Sequence, residues 1–399
     1  TREMMKTAPS EGLFMKGCLH RNNNYMVMEF SHHIFSNHPE CSVQVSSFTP
    51  PSGERTEHHM IFQFSRQHDN PGADTGTDCI AVLHSCMQEW LSSDPYRDSE
   101  RVFARYFLKD ASVQRSRIHT REVFPPACAI SCIEQPPANK TGLAVWVYLK
   151  DKGHTSDRYI HYWTTEKFCL AGNVTQQTRK LLMDYQQWLQ AKGCGMKGQC
   201  IRTWFFIKDI DTNYAAFAQS RTQYFSEIGM DKDTHYIAST GIEGSNGAPA
   251  SYVTMDAYAV GGLEPDRITY LRGLTNLSPT NIYGVTFERG VALRLDDRTQ
   301  VLISGTASID KWGNVMHPDD IQAQTHRMWE NVEVLLQEAG SSFEDVAQII
   351  VYLRRQKDFE LVRESFRSRF PSIPTVIVMG RVCRPAWLIE MECIAISHT

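Results

Sequence analysis

The run WLIEMECIAI, Trp387 to Ile396, carries two carboxyl groups in an otherwise apolar stretch. On an extended chain Glu390 and Glu392 share one face with Leu388 and Ile394, while Ile389, Met391 and Cys393 take the other. A carboxylate there is costly to bury unless it is partnered or protonated. Desolvation raises a carboxyl pKa, so Glu390 could hold a proton near neutral pH and serve as a general acid. Read structurally, the same residue is half of an ion pair with Arg381 or Arg384, just upstream. Cys383 lies between those arginines. It could be a nucleophile, but no His is placed in sequence to activate it, and it reads as a pocket wall. In VLISGTASID, the backbone amides of Ser304, Gly305 and Thr306 could cradle a carboxylate, or the three could form an ordinary tight turn.

Other residue types carry less. His58 and His59 are adjacent and would point to opposite faces of a strand, and no CxxC pair comes with a His/Cys set at zinc spacing, so no metal site is expected. The Gly/Ser-rich stretch from Tyr236 to Pro249 lacks the strand-to-helix context of a phosphate-binding loop. It reads as a long hairpin or as a contribution to a neighbouring cleft.

The elements that must position these residues form a repeating α+β pattern. Residues 1–24 read as a polar lead-in. In residues 25–150, strand-like runs YMVMEF, CSVQVSSF and HHMIFQF precede a loop at Asp69–Thr77 and a helix at Cys79–Leu91. VFARYFLKD, CAISCIE and GLAVWVYL complete that unit. Residues 151–262 repeat the plan, with strands YIHYW and KFCLAG, a helix striped by Leu181, Tyr185, Trp188 and Leu189, the strand IRTWFFIKD, and a helix from Tyr214 to Ile228. Strands YIASTGIEG and YVTMDAYAV follow. Residues 263–399 show the plan most clearly. A strand at Thr299–Gly305 leads to a helix capped by Asp319 or Asp320 and striped by Ile321, Thr325, Met328, Val332, Leu335 and Ala339. Then come a strand at Val346–Leu353, a shorter helix capped by Asp358, and the strands TVIVM and WLIEMECIAI. VFARYFLKD, IRTWFFIKD and AQIIVYLRR hold the same place in the three units.

A chain of 399 residues with net charge −4 and 22% charged residues is long enough for two or three units and has no global field to attract nucleic acid or an anionic membrane. No apolar run of transmembrane length is present. The opening TREMMKTAPSEG lacks the order of a signal peptide, although a leader ahead of Thr1 stays open. Eleven scattered Cys, many in strand-like contexts, fit buried free thiols and a cytoplasmic location.

The words SGTASI, QxxxxxxNVExLLxEAG, EDVxxIIVYL and IEMECIAI together resemble the YjgF/RidA family over the whole third unit. The resemblance implies three tandem RidA-like (chorismate-mutase-like) units forming an intramolecular pseudo-trimer around a β-barrel core, with clefts between units. The arginine of the family's enamine/imine deaminases is missing. Val376, Cys128 and Tyr236 stand near its positions, which disfavours deaminase chemistry.

YGVTFERG, SGTASI and VCRPAWLIEME resemble the chorismatase branch. That likeness implies hydrolysis of the enolpyruvyl ether of chorismate, with Glu390 as catalytic acid seven residues after Cys383, no cofactor, and a small carboxylate as substrate. Glu392 matches a structural acidic site. A dicarboxylate substrate calls for cations, and Arg289, Arg381 and Arg384 are the candidates. Arg202 and Arg221, in the second unit, are weaker ones, because the cleft should lie between units. Tyr283 would line the pocket or donate a hydrogen bond. DKWGN, Asp310 to Asn314, departs from the family's His-containing loop and leaves room for a different substrate. The chain would act as a monomeric pseudo-trimer or a higher homo-oligomer. The alternative is an inactive RidA-like binding or scaffold protein. The superfamily's old nuclease label is disfavoured by the acidic charge.

Overall fold

The computed structural model describes residues 28–65, 78–119, 123–154 and 156–399, so the lead-in and the Asp69–Thr77 loop lie outside the described residues. The first sheet and its helices are β1 (Glu29–Phe35), β2 (His38–Phe48), β3 (Glu57–Phe64), α1 (Cys79–Leu91), β4 (Glu100–Leu108), α2 (Ala111–His119), β5 (Ala129–Glu134) and β6 (Leu143–Lys150). Next come β7 (Ile160–Phe168), α3 (Val174–Gln190), the short α4 (Met196–Gln199), β8 (Cys200–Ile207), α5 (Ile210–Glu227), β9 (Ala238–Glu243) and β10 (Val253–Gly261). The last group is β11 (Ile268–Leu271), β12 (Gly290–Arg294), β13 (Thr299–Ala307), α6 (Ile321–Glu338), β14 (Val346–Leu353), α7 (Phe359–Arg369), β15 (Thr375–Met379) and β16 (Ile389–Ser397).

These strands make three sheets of related order: β1-β2-β3-β6-β4-β5, β7-β10-β8-β9 and β11-β12-β13-β16-β14-β15. Each is antiparallel except for one parallel pair, β4/β5, β8/β9 or β14/β15. A parallel neighbour needs a crossover, which α2, α5 and α7 supply. The architecture is therefore mixed α+β.

Several elements follow from local chemistry. The Asp320 side chain accepts from Ala323 N at 2.9 Å and starts α6, and Gly340, at φ 72°, ends it in the left-handed cap that glycine tolerates. Met328, Val332 and Leu335 form its buried stripe. β16 is central in its sheet and buried on both faces over Ile389–Ile396, which is why its sequence is apolar almost throughout.

Some expectations need correction. YIHYW and KFCLAG belong to one strand, β7, which carries a bulge, so the second sheet has a single strand ahead of its first helix. Asp358 does not cap α7 with its side chain, because Arg355 Nε donates to it at 2.8 Å. The short strands β11 and β12 are additional. The sheets stay open, and no closed barrel forms among the described residues. They meet through isolated bridges such as Glu134↔Ser245, Ala238↔Glu288 and Pro137↔Val378, not through continuous ladders. The ten described cysteines are free thiols. Among the described residues, no helix is long and apolar enough to cross a membrane.

Buried polar groups join the sheets. Glu57 of β3 accepts from Arg298 Nη1 and Gln300 Nε2, each at 2.8 Å, and from Tyr148 Oη at 3.0 Å. Removing one partner of such a pair leaves an uncompensated charge, a loss of about 3–5 kcal/mol. Arg298→Met is therefore expected to lower unfolding free energy by about 3 kcal/mol in urea titration, and adding Glu57→Gln is expected to restore part of it.

Candidate active site

β16 faces the second sheet with both of its carboxyl side chains. Glu392 accepts from Arg202 Nη2 at 2.9 Å, Trp204 Nε1 at 2.8 Å and Thr240 Oγ1 at 2.5 Å, all from β8 and β9. Glu390, two residues earlier, is 6% exposed and stands on the floor of a cleft between the second and third sheets. Burial, and secondarily the Glu392 carboxylate, push the Glu390 carboxyl up to about 8, with Arg202 and Arg289 opposing the shift. Near neutral pH it therefore carries its proton, as the sequence reading allowed. The structural alternative, an ion pair with Arg381, is not formed. That arginine binds Glu243 and donates to Asp211 Oδ2 at 3.0 Å.

Gly305 is the other half of this floor. A Cβ built there would land on the Glu390 carboxyl and lie 3.1 Å from Thr240 Cγ2. The space for the acid exists because residue 305 has no side chain. The register of β13 with β16 shifts between Ile303 and Thr306, so Ser304 and Gly305 bulge out of the ladder. The expected amide cradle is absent at these two positions, because both N–H groups are already used. Ser304 N donates to Arg289 O at 3.0 Å, and Gly305 N to Thr240 Oγ1 at 2.9 Å. The Ser304 hydroxyl donates to Glu288 O at 2.6 Å and accepts from Ser239 N, and Thr306 Oγ1 donates to Ser304 O at 2.9 Å. These hydroxyls hold the turn and β9 together.

The walls combine cations and apolar groups. Arg289 is buried, donates from Nη2 to Ser278 O at 3.0 Å, and lies over the Phe287 ring. Arg221 of α5 also lines the cleft, 4.9 Å from the Phe217 ring centroid. Arg221 had ranked as the weaker candidate because it belongs to the second sheet's helices; the cleft runs between sheets, so that helix forms one wall. Cys383 lines the cleft too, and burial, with Glu390 adding to it, pushes its thiol up to about 12. A thiol so held is protonated, which suits a wall better than a nucleophile.

Arg381 and Arg384 do not line the cleft. Arg384 Nη1 donates to Gly313 O at 2.8 Å and its guanidinium lies over Trp387, bracing that wall. The DKWGN turn thus supports the site through Gly313, while Trp312 is 70% exposed. Tyr283 belongs to a short 3₁₀ turn, and its side chain lies outside what the structure describes. Sequence reasoning missed Tyr214, Ser239 and Phe287 as lining residues, and none carries a spacing signal that could have marked it.

The second sheet has its own bulge, flanked by the pairs Thr164↔Ala257 and Lys167↔Met255. Counting from these pairs, Glu166 takes the place of Gly305. Its carboxylate accepts from Arg115 at 2.8 Å, lies 3.1 Å from His119 Nε2, and accepts from Cys132 N at 2.9 Å. His119, Cys132 and Glu166 are close enough to hold a metal ion, but Arg115 already engages both carboxylate oxygens.

Two outcomes test this geometry. Gly305→Ala, which puts a methyl group on the acid, is expected to lower unfolding free energy by about 1–3 kcal/mol in denaturant titration. The raised Glu390 pKa has a definite sign in linkage. Between pH 4.5 and about 8 the unfolded chain loses the proton that the folded chain keeps, so this group's contribution makes stability fall as pH rises. Glu390→Gln removes that penalty. Its melting temperature relative to wild type is expected to rise from pH 5 to 8, and a pH-independent difference would contradict the assignment.

The profile of the Endoribonuclease L-PSP family matches residues 291–397. A 3-hydroxybenzoate synthase of Streptomyces hygroscopicus is 27% identical over 276 residues, 62% of this chain and 79% of that one. A RutC family protein of Pyrococcus abyssi is 35% identical over 97 residues, 24% of this chain and 76% of that one. A crystal structure of a chorismatase superposes with a TM-score of 0.60 at 18% identity, covering 76% of this chain and 95% of that one, which shows a shared fold. With the RidA-type sequence words of its third sheet and helices, the chain is a chorismatase-like member of the YjgF/RidA superfamily.

Proposed function

We propose that this protein cleaves the enolpyruvyl ether of chorismate, or of a related small carboxylate, and releases pyruvate. The observation that carries the reading is a buried carboxyl group held protonated near neutral pH, on the floor of a cleft lined by two arginines, Arg221 and Arg289. The chorismatase and 3-hydroxybenzoate synthase likenesses support the same substrate class.

Glu390 gives its proton to the terminal methylene carbon of the enol ether, which becomes a methyl group. The electron pair of the C=C bond forms the new C–H bond, and the ether oxygen shares the resulting positive charge as an oxocarbenium ion. The Glu390 carboxylate left behind stabilises that cation across the cleft. Water, or a ring hydroxyl of the substrate, attacks the cationic carbon and returns a proton to Glu390. With water, the hemiketal collapses to pyruvate and the ring alcohol. Arg221 and Arg289 hold the two carboxylates of the substrate. Every proton in this scheme is carried by the chain, the substrate or water, so it uses no cofactor.

The three units, residues 25–150, 151–262 and 263–399, would form a pseudo-trimer within one chain. The related strand orders and the contacts of each sheet with both others support this. The cleft at the second sheet's bulge would not be catalytic, since Glu166 occupies the place of Gly305 there.

The test is pyruvate release from chorismate by wild type and Glu390→Gln. Wild type is expected to release it, and the variant to lose at least about 10²-fold in kcat. No release by folded wild type overturns the chorismate reading. Because the acid acts protonated, kcat/KM is expected to fall as pH rises through about 8.

A further inference from the structure

One hydroxyl group joins the two carboxyl groups of β16. Thr240 Oγ1 accepts from Gly305 N at 2.9 Å and from Arg202 Nη2 at 2.6 Å. A hydroxyl has two acceptor sites and one proton. With both acceptor sites filled by N–H donors, its proton goes to Glu392 Oε2, at 2.5 Å. Thr240 is therefore saturated, and each partner serves Glu390 differently. Gly305 is the surface on which the Glu390 carboxyl lies. Glu392 is the negative charge beside it, and Arg202 is the cation that balances Glu392. The Thr240 methyl group packs at the same spot, 3.1 Å from where a Gly305 Cβ would be.

We propose that Thr240 is a positioning residue for Glu390, tying the Gly305 turn beneath the acid to the Glu392–Arg202 pair beside it. The second sheet thereby holds two carboxyl groups of one strand in unlike roles, Glu392 as the hydrogen-bonded anion and Glu390 as the proton carrier. The groups facing Glu390 are Arg289 ahead of β12, Arg221 and Tyr214 on α5, Cys383 ahead of β16, Tyr352 opposite it on β14, Glu392 along its own strand, and Arg202 on β8, which pairs with Glu392. Thr240 touches none of the first five through a hydrogen bond, so its replacement leaves the arginine walls in place. Its loss loosens the Gly305 turn, letting solvent reach the acid, and weakens the hold on Glu392. Solvent access moves Glu390 toward ordinary carboxyl behaviour, because burial is the main cause of its raised pKa.

The kinetic arm of the test rests on the reading of Glu390 as the acid; a spectroscopic arm does not. The carbonyl stretch of a protonated carboxyl, present in wild type and missing in Glu390→Gln, reports the Glu390 proton directly by infrared difference spectroscopy. In wild type it is expected to titrate at about 8. In Thr240→Val the midpoint is expected to fall toward 4.5, and kcat to drop on the order of 10²-fold with KM changed less than about 3-fold. Thr240→Ser, which keeps the hydroxyl, is expected to restore the wild-type midpoint. An unchanged midpoint in folded Thr240→Val, or a shift in Thr240→Ser equal to that of the valine variant, overturns the positioning role. If Thr240→Val does not fold, Thr240→Ala is read the same way: a lowered midpoint supports the positioning role and an unmoved one overturns it. Should wild type release no pyruvate, the function reading fails while the infrared midpoints still decide the role of Thr240.

Discussion

Four charged side chains buried where the three sheets meet constrain the rest of the molecule. Arg105 of β4 donates from Nη2 to Asp256 of β10 at 2.9 Å, and Arg202 of β8 donates to Glu392 of β16 at the same distance. Arg105 Nη1 also lies 3.9 Å from Glu392, so the group spans all three sheets. Each residue is at most 2% exposed. A buried charge without a partner costs several kcal/mol, and each of these finds its partner on a different sheet. The sheets can therefore not slide or separate without stranding a charge. The aromatic rings around Arg105, with Trp204 4.7 Å from its guanidinium and Phe206 at 5.0 Å, add cation–π contacts and keep water out.

The active cleft depends on that junction. Glu392 is spoken for by three donors, and its neighbour Glu390 lies outside their reach on the same face of the strand. The electrostatic difference between two identical side chains, two residues apart, comes from the position of β8 and β9 and from nothing in β16 itself. A protonated carboxyl is stable in this place because burial penalises its anion, and secondarily because deprotonating it would put a second anion beside Glu392. The bulge at Gly305 provides the room, and the helix α5 brings an arginine to the far wall. One sheet thus supplies the acid, and the next supplies both its electrical setting and half of the substrate contacts.

How much of this was legible can be followed residue by residue. α1, β14 and β15 were readable to the residue, because their apolar spacing is regular and their ends carry capping or turn residues. α6 was readable for the same reason. α2 was nearly invisible, since ASVQRSRIH has almost no apolar stripe and is held by its packing and by Gln114 and Glu134 near its start. β11 and β12 were too short to show a period. β7 read as two pieces, because its bulge breaks the alternation that marks a strand. At the site, Glu390 stood out as a carboxyl in an apolar strand. The arginines could not be ranked. Arg381 and Arg384 are near it in sequence but turn to Glu243 and Gly313, while Arg221, far from it in sequence, faces it in space.

The sequence by itself determined the α+β character, the extents of the strongly periodic elements, and the presence of a carboxyl that must be either paired or protonated. These are properties of hydrophobic periodicity and of desolvation, which act within one strand or helix. Only the tertiary structure decided which of the two glutamates is paired, that the sheets stay open where a closed barrel was expected, and which arginines share the cleft. Those outcomes depend on groups from different sheets meeting within hydrogen-bond distance in a medium of low polarity. Electrostatic energy there changes steeply over a few ångströms, and spacing along one chain does not specify distances between sheets.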